Sequence, residues 1–361
     1  MNEHNEGYKA TIEELFAQIV QTDGASDLIL TTDRQPSVRI YGEVHPMVGY
    51  PLLRGEDTES LCMSLLNEEQ IKEFRSNKEI DLSVHIEDVG RFRMNIFRQK
   101  GNMAMVARRV LDHIPDFEWL GLPQVITELV KLKKGLILFT GPTGHGKSTS
   151  VASVIDYINS HRNCHIISIE DPIEFLHRHN KAVVEQREVG LDTDSFALSL
   201  RRVLRQAPDV IVIGEIRDRE SAQAALTLAE TGHLIISTLH TSGAIASVSR
   251  LIDMFPPEQE RQIRLQLSVS LAAVIWQQLI PAAEKENGLT LACEVLVTIP
   301  AIRSLIRQGR IHEIHSHIQT GRKYGMFTMD QSLAELMDKG KVDPEWFKNN
   351  YFEMKTNSKT A

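Results

Sequence analysis

Residues Gly141 to Thr149, GPTGHGKST, carry the spacing GxxxxGK[ST]. The chemistry available to such a stretch is capture of a polyphosphate. Gly141, Gly144 and Gly146 let backbone N–H groups curl around phosphate oxygens, and a helix opening at the end of the loop adds partial positive charge. Lys147 is long enough to reach β- and γ-phosphates, and Ser148 offers a hydroxyl to Mg²⁺. Pro142, Thr143, His145 and Thr149 complete the nucleotide-binding set. A ligand-free glycine turn has the same composition. Here, though, the apolar segment 135–140 reads as a strand entering the loop and 149–156 as a helix leaving it.

Acidic residues follow. In IISIEDPIE (166–174) a strand delivers Glu170 and Asp171 to its C-terminal end, where open α/β sheets bind ligands. Pro172 blocks an early helix start, so Glu170 and Glu174 are not a simple i,i+4 pair. A carboxylate here can polarise a water attacking a γ-phosphate, or be an ordinary solvated acid. In DVIVIGEIRD (209–218) Gly214 occupies the place of the usual metal-side acid. Glu215 must then serve, its longer side chain acting through a metal-bound water. Asp218 reads as the cap of helix 219–230, which Gly232 ends.

ETGHLIISTLHT (230–241) sets His233 and His240 seven residues apart, up to about 23 Å along a strand. They do not share one metal. One suits a phosphate and the other a neighbouring element or subunit; a structural hydrogen bond is the alternative for each. His161, His165, His177, His179, His312, His315 and His317 read as solvated. The arginines of 90–100 and 107–109 make the first domain's end basic. They form either a charge clamp for a phosphate held elsewhere or a solvated strand edge.

The elements that must position these residues divide at the segment HIPDFEWLGLP (113–123), rich in proline and glycine. Residues 1–110 read as a mixed α/β domain: a helix at 11–20 with Thr11 and Glu14 forming a capping box, then strands at 26–31, 37–41, 81–86 and 91–97. A linker at 111–117 precedes a second domain at 118–361. Its strands at 135–140, 165–169, 209–213 and 234–238 alternate with helices, which implies a parallel sheet. Residues 257–281 read as one long amphipathic helix, and 300–308 as a short one stopped by Gly309.

Composition narrows the function. The 361 residues carry a net charge of −8, with 42% hydrophobic and 24% charged residues. That balance disfavours wrapping nucleic acid or coating anionic lipid. Cys62, Cys164 and Cys293 show no CxxC pairing, and the start, MNEHNEGYKA, has no signal-peptide pattern. No apolar run approaches the roughly 20 residues of a membrane span. A cytoplasmic protein is expected, reaching a membrane through a partner.

Together these stretches resemble the secretion-type hexameric ATPases, and within them the type IV pilus retraction branch, PilT and PilU. The ordered motifs GPTGHGKST, IEDPIE, GEIRD and ETGHLIISTLHT carry the resemblance. That lineage normally has glycine at the position of Gly214. The resemblance implies an α/β fold class: a PAS-like N-terminal α/β domain followed by a RecA-like P-loop ATPase domain. It implies Glu174 as catalytic base, Glu215 as metal-side acid, His233 and His240 as the histidine pair, and Arg93 and Arg108 reaching ATP across a subunit interface. ATP and Mg²⁺ are the implied cofactors. The implied partners are a homo-hexamer, an inner-membrane platform protein at the pilus base and a paralogous retraction ATPase; no nucleic acid is implied. AIRSLIRQ (301–308) resembles the PilT sequence AIRNLIRE but has Ser304 and Gln308, whereas LRQAPD (204–209), QREVG (186–190) and GRIHEI (309–314) look more like PilU. The competing readings are an export or secretion motor of the same superfamily, a nucleic-acid motor on a RecA-like core, and an ATP-binding subunit that hydrolyses poorly.

Overall fold

The computed structural model describes residues 11–22, 24–40, 43–87, 89–110, 114–283 and 288–349. Tyr41, Asp88, linker residues 111–113 and the C-terminal stretch 350–361 lie outside the described residues. The chain divides into two compact units, Met1–Asp112 and His113–Ala361.

The first unit runs α1 (Ile12–Gln21), β1 (Ala25–Leu30), β2 (Ser37–Ile40), β3 (Glu43–Pro46), α2 (Gly55–Met63), α3 (Glu68–Asn77), β4 (Glu79–Ile86), β5 (Gly90–Gln99) and β6 (Asn102–Val110). Its strands form an antiparallel sheet ordered β3-β2-β1-β6-β5-β4. Thr11 caps α1 as the sequence suggests: its hydroxyl accepts from Glu14 N–H, and the Glu14 carboxylate accepts from Thr11 N–H. The apolar stripe Ile12, Leu15, Phe16 and Ile19 is buried, with Phe16 against Phe92 of β5 at 4.1 Å between ring centroids. This is the PAS-like α/β unit that the resemblance implies.

The second unit runs α4 (Phe117–Leu120), α5 (Ile126–Leu129), β7 (Gly135–Thr140), α6 (Lys147–His161), β8 (His165–Glu170), β9 (Val183–Glu188), α7 (Phe196–Val203), β10 (Val210–Ile213), α8 (Arg219–Glu230), β11 (Leu234–Leu239), α9 (Ala244–Asp253), α10 (Glu260–Ser270), β12 (Leu271–Pro281), β13 (Leu289–Val297), α11 (Pro300–Gln308), α12 (Ile314–Thr320) and α13 (Met329–Asp338). The sheet order is β13-β12-β7-β11-β10-β8-β9, parallel except for β13. β7, β10 and β11 are buried along their whole length. That explains their unbroken runs of Ile, Val and Leu, since both faces of a parallel sheet are covered. The fold is α/β and RecA-like.

The structure corrects the long helix read over 257–281. Helix α10 stops at Ser270, and the next residue begins β12. Leu271 to Trp276 are buried on both faces of that strand. A segment apolar on every side shows no period-2 signal, so the sequence cannot separate it from a buried helix. Strands β9 and β13 were likewise missed. α11 forms as expected, burying Ile302, Leu305 and Ile306 and closing at Gly309 with φ 75°. Among the described residues, no helix is long and apolar enough to cross a membrane.

Candidate nucleotide site

The parallel register aligns the C-terminal ends of β7, β11, β10 and β8 along one edge of the sheet. Thr140 ends β7 and leads into the loop 141–146, and α6 starts at Lys147. Gly141, Gly144 and Gly146 all have positive φ, at 145°, 80° and 77°. At Gly141 a Cβ would stand 2.4 Å from the Gln277 carbonyl oxygen of β12, so glycine is required by both torsion and space. Gly144 has no heavy atom within 4 Å of where its Cβ would be, leaving the crest of the loop open.

Lys147 is buried at 7% exposure, and its ammonium donates to the carbonyls of Gly141 at 2.9 Å and Pro142 at 2.8 Å. Burial pulls its pKa below the usual lysine value, and the charges of Glu215 and Glu174 partly restore it. Both acids singled out in the sequence therefore act on the loop lysine. His240 follows β11 and gathers the site. Its Nδ1 lies 3.5 Å from the Lys147 ammonium and 3.3 Å from the Thr143 hydroxyl, and its Nε2 lies 3.2 Å from Glu215.

Glu215 is 14% exposed and also pairs with Arg217, which reaches towards Asp171 at 3.9 Å. It follows Gly214, whose carbonyl accepts from the Thr238 hydroxyl at 2.7 Å. A Cβ at Gly214 would lie 3.4 Å from the Cα of Glu170. Position 214 is thus flanked by two acidic residues, Glu170 on β8 and Glu215 one residue on. Glu170 is half-buried and accepts from Ser168 at 2.6 Å and Gln186 at 3.1 Å. Burial raises its pKa above the usual carboxylate range. The Asp171–Pro172 peptide is cis, and exposed Glu174 lies on the irregular stretch that follows.

The remaining sequence candidates fall elsewhere. His233 precedes β11, at the opposite end of the strand from His240. Its carbonyl accepts from Gly135 N–H and its Nδ1 contacts the Leu228 carbonyl at 3.1 Å. Six residues of strand, about 20 Å, separate the two histidines. Arg93 and Arg108 are register partners across β5 and β6 of the first unit. Arg108 Nε lies 2.7 Å from buried Asp27, which Arg39 also approaches at 3.3 Å. His177 is not solvated as its sequence context suggests. Its Nδ1 is buried without a hydrogen-bond partner, and desolvation pulls its pKa down to about 4.

Sequence reasoning missed Gln277, Arg217 and Glu294. Gln277 is fully buried and donates from Nε2 to the His145 carbonyl at 2.7 Å; the neighbouring Leu279 N–H donates to His145 Nδ1 at 3.0 Å. β12 thereby pins the middle of the phosphate loop. The signal was present as two adjacent glutamines in an otherwise apolar run.

Polyphosphate fits this cradle: a glycine-shaped loop with an open crest, a helix N-terminus and a buried lysine ammonium at its base. The hydroxyl of Ser148 and the carboxylate of Glu215 are hard oxygen donors of the kind Mg²⁺ takes. A parallel α/β sheet with this loop at its C-terminal edge defines a P-loop ATPase. Residues 11–357 match the profile of the family described as Type II/IV secretion system protein, and the chain belongs to that family. It is 41% identical over 334 residues to the type IV pilus retraction ATPase PilT of Pseudomonas aeruginosa, covering 92% of this chain and 96% of that one. It is equally 41% identical over 332 residues to the type IV pilus ATPase PilU of the same organism, covering 92% and 86%. The crystal structure of the pilus retraction motor PilT with bound ADP superposes with a TM-score of 0.87 at 44% identity, covering 93% of this chain and 96% of that one.

Proposed function

We propose that this chain is a ring-forming motor that hydrolyses ATP to retract type IV pili, acting at the pilus base on an inner-membrane platform protein. The observation that supports it most directly is the convergence of Lys147, His240, Glu215 and Glu174 around a phosphate loop, in a chain similar to PilT over nearly its whole length. In this reading Lys147 and the loop amides hold the phosphates. Ser148 and Glu215 would hold Mg²⁺, which would supply positive charge to the phosphates during transfer. Glu174, exposed beside the loop, takes a proton from the attacking water. Arg93 and Arg108 offer positive charge to a nucleotide held by an adjacent subunit of a homo-hexamer. His233, remote from the loop, serves the subunit's structure or its neighbour.

Equal identity to PilT and PilU supports two forms of the same role, retraction alone or together with a paralogue. The departures on α11 bear on this choice. The Gln308 amide donates to the Ser304 hydroxyl at 3.0 Å and Arg310 donates to Gln308 at 3.1 Å, so the substituted pair is tied into its own surface network.

Gene deletion with surface pili counted by microscopy, and twitching scored on the same cells, tests the proposal. Surplus pili with lost movement is the expected result. Surplus pili with part of the movement kept would indicate assistance to a paralogue. Bald cells would place the protein in assembly. Unchanged pili would overturn the proposal in favour of a secretion motor.

A further inference from the structure

Glu294 lies on β13 opposite Trp276 of β12 and is only 9% exposed. Its Oε1 accepts from Ala244 N–H at 3.0 Å, and Met329 N–H also donates to the carboxylate. Ala244 is the first residue of α9 and Met329 the first of α13. The N-cap of α9 is Gly243, at φ 148°, which has no side chain to cap the helix. Glu294 supplies that acceptor from a different element.

The placement matters because of what precedes α9. Residues 240–243 join the end of β11 to that helix, and His240 at their head touches Lys147, Thr143 and Glu215. Ser247 ties the same stretch to the root of the phosphate loop, contacting Thr241 at 2.6 Å, Gly243 at 2.7 Å and Thr140 at 3.3 Å. The stretch is thus held on one side by Ser247 and on the other by Glu294, whose second bond runs to α13. The titratable groups facing Glu294 are His315 of α12 and Asp330 of α13.

We propose that Glu294 is a positioning residue for ATP turnover: it fixes the stretch carrying His240 and joins it to the start of α13, so that nucleotide state and the C-terminal helices are linked. The inference rests on the ATPase reading but not on any pilus role. Two N–H groups meet on this carboxylate, and glutamine keeps only one acceptor oxygen where glutamate has two, so Glu294→Gln weakens the pair of contacts with little change of size.

The test uses the full chain. Wild-type hydrolysis of ATP is measured first; its absence would defeat the ATPase reading itself. Glu294→Gln, nearly isosteric, is then compared with Glu294→Ala, His240→Ala and the double variant His240→Ala/Glu294→Gln, with thermal melting as a folding check. If Glu294→Ala does not fold, Glu294→Gln decides. The expected result is roughly a tenfold loss of kcat in Glu294→Gln with the KM for ATP within about twofold, and no further loss in the double variant beyond His240→Ala, the non-additivity of residues acting through one another. Amide exchange at the start of α13 should respond to ADP in the wild type and not in Glu294→Gln. Unchanged kcat, a loss confined to KM, losses that multiply in the double variant, or wild-type exchange indifferent to ADP would each overturn the proposal.

Discussion

His240 Nε2 lies 3.2 Å from a Glu215 carboxylate oxygen. On the other side of the ring Nδ1 faces the Lys147 ammonium and the Thr143 hydroxyl. The ring thus faces a carboxylate on one side and two groups able to donate on the other. His240 is therefore a polar bridge between the phosphate loop and the acid after Gly214. His240→Ala should lower kcat by roughly 10²-fold while KM for ATP changes little. Steady-state phosphate release checks this; a loss mainly in KM would assign His240 to binding instead.

Gly141→Ala sets a Cβ 2.4 Å from the Gln277 carbonyl at φ 145°, whereas Gly144→Ala meets open space at φ 80°. The first should cost about 2 kcal/mol or more and abolish binding of a fluorescent ADP analogue. The second should carry only the left-handed torsion cost of about 1 kcal/mol. Thermal melts and nucleotide titration of both variants separate the two effects.

Acid should destabilise the second unit through His177. Its folded pKa, about 4, lies below the unfolded value near 6.5, because burial opposes the charged ring. The unfolded chain then binds the extra proton first. Stability is complete above about pH 6.5 and is lost as pH falls towards 4, by up to roughly 3 kcal/mol. Denaturant titrations across that range should show the fall, and His177→Gln should flatten it.

In the first unit, Asp27 is buried between Arg108 and Arg39, both partly open to solvent. Arg108→Ala leaves one cation in place and should cost about 1 kcal/mol. Removing both arginines leaves the buried carboxylate without a cation, held by the Ser26 hydroxyl at 2.6 Å, and should cost roughly 3 kcal/mol. Chemical denaturation of the two variants tests the asymmetry.

The phosphate loop was legible because its chemistry is local, with every essential residue inside one short stretch between strand and helix. Glu215 and His240 were legible for the same reason, each lying just beyond an apolar strand end. Gln277 and Glu294 were not. Each is a polar residue inside a strand whose neighbours are buried on both faces, and nothing in such a run says which partner waits across the sheet. His177 failed in the opposite way: its polar surroundings in sequence concealed its desolvation in the fold. The seven-residue spacing did separate His233 from His240, but the reason lies in the topology, which sends opposite ends of β11 to opposite edges.

The passage from α10 to β12 at Ser270–Leu271 involves no intervening coil. Chain that turns directly from helix into strand has no slack. Arg303 of α11 grips the carbonyls of Ser268 and Val269 at that junction, and β12 carries Gln277 to the phosphate loop. Outer helix α11 and the phosphate loop are therefore joined through a single strand that is hydrogen-bonded at both ends.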